Sequence, residues 1–167
     1  MLYYEMIGNT KENVVLFLHG WGADCTSFRG VVFNLPKNDV SYMLVDFPGF
    51  GKSEEPTRSY SVLDYAEEII TLLDNLKISN VTIVGHSFGG RVGIVLASKF
   101  SERVKKLILV DSAGVIEGRG LYYHLKVGCY KLKVKLFGRE KVKLSGSDDY
   151  KALKSDVMRE TFKKVVN

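Results

Sequence analysis

The chain has 167 residues, 46% of them hydrophobic and 11% aromatic, enough for one domain with a substantial core. Its net charge of +5 is uneven: residues 1–114 carry a balance of −2 and residues 115–167 one of +7, which marks a compositional boundary near Gly114. Glu5 interrupts the first apolar stretch, so no secretory leader is visible, and the apolar runs are too short to cross a bilayer. A cytoplasmic protein without a membrane partner is therefore expected. Cys25 and Cys129 fit neither a disulfide framework nor a metal spacing, and His19, His86 and His124 are too scattered for a zinc site. No metal and no cofactor is expected.

Leu2 to Ile7 reads as a strand that ends in the polar turn Gly8-Asn9-Thr10. Val14 to Leu18 is an uninterrupted apolar run, the pattern of a strand covered on both faces. A short helix is expected over Thr26 to Leu35, with Phe28, Val31, Val32 and Leu35 turned inward. Tyr42 to Val45 repeats the buried-strand pattern. Ser61 followed by Asp64 resembles a capping box. Behind it Val62, Ala66, Ile69, Leu73 and Leu76 recur at spacings of four and three, which defines one helix face. The strand Val81 to Val84, a helix over Phe88 to Phe100 and the strand Leu107 to Val110 continue the alternation. Strands alternating with helices predict an α/β architecture with a mostly parallel sheet and helices on both faces.

Beyond Gly114 the pattern changes. Leu121 to Phe137 mixes apolar residues with Lys126, Lys131, Lys133 and Lys135, and suits helix or strand equally. Ser145 to Asp149 signals a turn and a helix start, and a helix is expected from about Tyr150 to Val166 with Leu153, Val157, Phe162 and Val165 as its apolar residues. Two regions follow, residues 1–114 and residues 115–167.

The strongest chemical signal is Gly85-His86-Ser87-Phe88-Gly89-Gly90, placed between a strand and a helix. In that context G-x-S-x-G describes a nucleophile elbow. The turn is so tight that side chains two positions either side of the serine would collide, which calls for Gly85 and Gly89. Ser87 is then held in strained backbone geometry at a helix N-terminus, where the dipole favours developing negative charge. A second motif, His19-Gly20-Trp21-Gly22, follows the strand Val14 to Leu18. A glycine turn there can aim a backbone N–H into the cleft, so the N–H groups of Trp21 and Phe88 are candidates for an oxyanion hole. His19 reads as a structural histidine bracing that loop, and His86 as the variable residue of the elbow. A third motif, Asp46-Phe47-Pro48-Gly49-Phe50-Gly51-Lys52-Ser53, contains a Gly-Lys-Ser triplet. The phosphate-loop reading fails because Asp46 stands where its first glycine belongs, and Pro48 lacks an N–H. A bracing turn is expected instead.

These three motifs, in this order and each at a strand end, resemble the α/β-hydrolase superfamily, and in particular its cap-bearing members. Those include carbon–carbon bond hydrolases, epoxide hydrolases, dehalogenases and many esterases. The resemblance covers Leu2 to Gly114 and implies that residues 115–167 begin a cap or lid. Dehalogenases and epoxide hydrolases of this kind use an aspartate nucleophile, so Ser87 implies acyl transfer through a serine ester. The implied partner is a small ester-like substrate, with neither nucleic acid nor membrane, in an oligomeric state the sequence leaves open.

A serine hydroxyl needs a histidine base oriented by an acid, and the family's chain order is serine, acid, histidine. Asp111, at the end of the strand Leu107 to Val110, is a candidate acid, although Asp111-Ser112-Ala113-Gly114 also suits a plain strand-to-cap turn. His124 is the only histidine after Ser87 and lies in the lysine-rich segment. The resemblance therefore implies an N-terminal fragment without the triad histidine, and an uncovered edge at Leu107 to Val110. The alternative is a non-catalytic binding or interaction protein of the same fold, with its lysine-rich segment facing an acidic partner.

Overall fold

The computed structural model describes residues 2–114 and 148–166. The lysine-rich segment, His124 and Cys129 lie outside the described residues. Five strands form one sheet in the order β1-β3-β2-β4-β5. These are β1 (Tyr4–Ile7), β2 (Val14–Leu18), β3 (Ser41–Val45), β4 (Val81–His86) and β5 (Val104–Val110). All pairs are parallel except β1 with β3. The helices are α1 (Arg29–Phe33), α2 (Val62–Asn75), α3 (Phe88–Lys99), α4 (Asp148–Lys151) and α5 (Asp156–Val166). Residues 153–166 belong to the same compact unit as residues 2–114, whereas residues 148–152 belong to a second unit. No helix of the described residues is long and apolar enough to cross a membrane.

The uninterrupted apolar runs behave as expected where neighbours cover them. Every residue of β3 is buried, as are all of β2 but Val15. Ser61 caps α2 through its side chain while the Asp64 carboxylate accepts from the Ser61 N–H, the reciprocal pairing the sequence suggests. Its buried face comprises Tyr65, Ala66, Ile69, Leu72 and Leu73, with Val62 and Leu76 packed at the margin. In α3, a Cβ at Gly93 would stand 2.8 Å from Leu107 Cδ1, so this small residue sets how closely the helix lies on the sheet.

Three expectations are corrected. The segment after Trp21 begins as a 3₁₀ turn, Cys25–Phe28, before the single α-helical turn of α1. Val32 there is fully buried, but Val31 is 54% exposed. Neighbouring helical residues point about 100° apart, and in this short turn Val32 takes the inward direction. The last helix is interrupted between Lys151 and Asp156, because Ser155 caps a fresh start by accepting the Met158 N–H. Its buried residues are Met158, Thr161 and Val165, spaced by three and four along one face.

Among the described residues β5 pairs with β4 alone, and its apolar run leaves Ile108 49%, Leu109 39% and Val110 45% exposed. An apolar edge with unpaired backbone groups is a template for association. The 167-residue chain should therefore self-associate in a concentration-dependent way, and Ile108→Lys should raise its monomer fraction while altering stability by about 0.5 kcal/mol or less. Sedimentation velocity of both proteins over a tenfold concentration range checks this; a wild-type chain that stays monomeric throughout counts against it.

Candidate active site at the strand ends

Three loops meet where β2, β3 and β4 end. The link from β4 to α3 contains a single residue, Ser87, whose φ of +50° and ψ of −112° lie outside the ordinary regions for a side-chain-bearing residue. Its N–H donates to Val110 O on β5, and its carbonyl accepts from the N–H groups of Gly90, Arg91 and Ala113. The backbone is thus clamped on both sides while the hydroxyl makes no capping bond. As the first helical residue, Phe88 has an N–H with no intrahelical acceptor.

The elbow glycines are required, for reasons that differ from those expected. A Cβ at Gly85 would lie 2.7 Å from Gly89 O and from the backbone of Gly90, across the turn. At Gly89 it would instead strike the carbonyl of Leu18, on the neighbouring strand, and at Gly90 the Ser112 hydroxyl. Gly89 therefore permits close approach of α3 to β2, and only Gly85 answers to a collision within the turn itself.

The loop after β2 comes up to the same place. Gly20 O accepts the Ala23 N–H at 3.2 Å, and Gly22 has a φ of +77°, so Gly20 to Ala23 form a turn with the left-handed third position that glycine favours. A Cβ on Gly20 would be 3.4 Å from Ser87 Cβ. The turn thus brings Trp21 beside the elbow. Its ring stacks edge-on against Phe50 and Phe88 at 4.8 and 5.2 Å between centroids, and against Phe162 of α5 at 5.3 Å.

His19 has no exposed surface. Its Nε2 accepts the Phe47 N–H at 3.0 Å, which leaves Nδ1 to donate to Gly20 O at 2.7 Å. Burial pushes its pKa below the ordinary value, outweighing the hydrogen bond to Gly20 and the nearby Asp46. The ring is a neutral strut between two loops, in keeping with the structural role read from the sequence. His86 packs against Gly20 from the end of β4.

Asp46 organises the third loop. Its Oδ1 accepts the Cys25 N–H at 2.7 Å and its Oδ2 the Lys52 N–H at 2.8 Å. A side chain at Gly51, which has a φ of +55°, would collide with this carboxylate. Ser53 donates to Asp46 O and accepts the Tyr3 N–H, tying the loop to the start of the chain. The Asp-x-Pro-Gly-x-Gly-x-Ser segment is a brace, and Gly51 makes room for a carboxylate instead of a phosphate. Asp24, Cys25 and Asp46 place potential metal ligands within 4.8 Å of one another. Burial pushes the Cys25 thiol up to about 12 and both Asp46 oxygens already hold N–H donors, which suits a hydrogen-bonded corner.

Asp111 is exposed at the end of β5 with a φ of +44°. It sits one residue beyond Val110, whose carbonyl holds the Ser87 N–H. α5 brings to these loops Phe162, read from the sequence as an apolar residue of the last helix, together with Met158 and Thr161, which sequence reasoning missed. Met158 lies over Gly49 and Thr161 accepts the Tyr60 N–H. The only signal for them was the 3–4 spacing of Met158, Thr161 and Val165.

The sequence of residues 13–126 matches the family model described as the alpha/beta hydrolase fold. A serine hydrolase-like protein of Mus musculus is 40% identical over 107 residues, which are 63% of this chain and 34% of that one. A serine hydrolase-like protein of Homo sapiens is 38% identical over 107 residues, 63% of this chain and 52% of that one. Among solved structures, an esterase from Exiguobacterium antarcticum superposes with a TM-score of 0.69 at 24% identity, covering 99% of this chain and 69% of its own. That likeness concerns the fold. The chain spans about a third of the length of several curated relatives it matches, 32% for a protein of Mycobacterium tuberculosis.

The brace makes a quantitative demand. Asp46→Asn keeps the shape but replaces one acceptor oxygen by an NH₂ group, leaving one buried N–H unpaired. It should lower unfolding free energy by about 1–3 kcal/mol in urea denaturation, and a variant as stable as wild type would rule out the bracing role.

Proposed function

Since the chain belongs to the α/β-hydrolase family, we propose that it carries the nucleophile of a serine hydrolase, with Ser87 attacking an ester or related carbonyl substrate. The observation that carries this reading is the backbone of Ser87: φ of +50° at a one-residue strand-to-helix link, with a hydroxyl free of capping duty. Such strain persists only where surrounding structure over-determines it, and it clusters at functional sites.

In the proposed reaction the Ser87 oxygen bonds to the carbonyl carbon as its proton passes to a base. The tetrahedral oxyanion is held by the N–H groups of Trp21 and Phe88, aided by the N-terminal dipole of α3. Collapse breaks the bond to the leaving oxygen, which takes the proton, and leaves an acyl-serine for water to cleave. His19 is unsuited to act as the base because both its ring nitrogens are engaged within the loops. Asp111 is the proposed orienting acid, given its place at the end of β5 one residue beyond the carbonyl that holds the Ser87 N–H. Residues 115–167 are proposed to begin a cap or lid region.

A fluorophosphonate probe should label the full-length protein at Ser87, and Ser87→Ala should abolish labelling. An unlabelled full-length protein would instead favour a binding role for this fold. The strain gives an independent readout. Ser87→Gly, which occupies this backbone region without steric penalty, should raise unfolding free energy by roughly 1 kcal/mol while eliminating labelling. Equal or lower stability in thermal and urea melts would show that the turn stores no such strain.

A further inference from the structure

The proposed chemistry uses the backbone of Trp21 and leaves its side chain unexplained. The indole Nε1 is buried and has no hydrogen-bond partner among the described residues. A buried donor without an acceptor is costly, and native proteins keep few of them. The rings of Phe50, Phe88 and Phe162 pack edge-on against the indole and bring neither an oxygen acceptor nor a formal charge. Behind Phe50 stands His19, at 5.7 Å between centroids, with its own nitrogens already committed.

Position gives the orphan donor its meaning. Trp21 follows Gly20, where an added Cβ would lie 3.4 Å from Ser87 Cβ, and its ring meets Phe88, the residue after Ser87. A substrate carbonyl placed at Ser87 would carry its neighbouring atoms past this indole. We propose that the Trp21 indole N–H is a specificity-determining donor for a neutral oxygen of the substrate, an ether, ketone or second ester oxygen a few bonds from the scissile carbonyl. The inference rests on reading Ser87 as the nucleophile and extends that reading to substrate class. A neutral acceptor is inferred because the phenylalanine rings against this indole supply no counter-charge to offset the desolvation of a carboxylate. Phe162 lies against the indole from α5, so the acceptor enters by displacing that ring. Once seated, it relieves a donor that a hydrocarbon of the same shape leaves unpaired, and this one-sided loss is how polar sites reject apolar analogues.

The test uses trifluoromethyl ketones in matched pairs, one member with an ether oxygen moved along the chain bond by bond, the other with methylene there. Calorimetry on the full-length protein should show at least one ether ligand binding about tenfold more tightly than its partner. Trp21→Phe should reduce that preference to about twofold or less. Incorporation of benzothienylalanine at Trp21, which keeps the bicyclic shape and replaces N–H by sulfur, should do the same if the phenylalanine variant folds poorly. No preference at any position, no binding, or a preference that survives both replacements overturns the proposal; an N–H aimed into a phenylalanine face would give the first result. Addition of Ser87 to the ketone, with the hydroxyl proton ending on the former carbonyl oxygen, is read separately from the ¹⁹F resonance. Preference without adduct removes the nucleophile reading alone, and adduct without preference removes this inference alone.

Discussion

The closeness of α3 to the sheet governs everything else at this end of the molecule. Its first turn lies so near β2 and the segment after β5 that no side chain fits at Gly89, where Leu18 O stands, or at Gly90, where Ser112 stands. With the helix pressed this far in, the chain has one residue in which to reverse direction, and that residue takes the strained conformation of Ser87. The same proximity sets the Ser87 carbonyl where Gly90, Arg91 and Ala113 can donate to it and the N–H where Val110 O accepts. Strain of roughly 1–3 kcal/mol is tolerable because four backbone hydrogen bonds and a buried helix face hold the turn in place. Without small residues on that face the helix would stand off, and the loops after β2 and β3 would lose their common meeting point.

A second constraint keeps those loops in register. The sheet ends in three loops whose backbone polar groups would be stranded among Phe47, Phe50, Phe88 and Tyr65, the aromatic layer beneath the elbow. Asp46 and His19 answer this by different routes. The carboxylate accepts N–H groups from two separate segments, and the neutral imidazole accepts one N–H while donating to a carbonyl. The charge-assisted bonds to the Asp46 carboxylate are of a type about twice as strong as neutral ones. They fix loop positions in a region where rings alone would allow several packings.

What could be read from the chain alone follows the range of the interactions involved. The elbow, the Ser61 capping box and the strand-end glycines are local patterns, because steric and hydrogen-bonding demands within four residues dictate them. The role of Asp46 was legible in outline, as a brace, but its partners Cys25 and Lys52 were not, since one lies 21 residues away. The exposure of Val31 depends on which neighbour covers which face, a matter that an apolar run does not encode, whereas the edge position of β5 was expected from the strand order of the family the motifs resemble. The collision partner of Gly89 was misread for the same reason: the sequence suggests Gly85, four residues distant, whereas the obstacle is the backbone of another strand.

The seat of α5 shows how a polar rim can substitute for sequence-evident packing. The helix buries only Met158, Thr161 and Val165, too little apolar surface to fix its orientation by itself. Around that stripe, Thr161 accepts from the Tyr60 N–H, Lys164 donates to Ser59, Ser155 donates to Glu55, and Arg91 of α3 donates to Val165 O. These bonds connect α5 to the loop before α2 and to the helix that begins at Ser87. Met158 meanwhile fills the space left by Gly49, in the loop that Asp46 braces. A helix held mainly by half-exposed polar contacts opens at lower cost than one held by a wide apolar face.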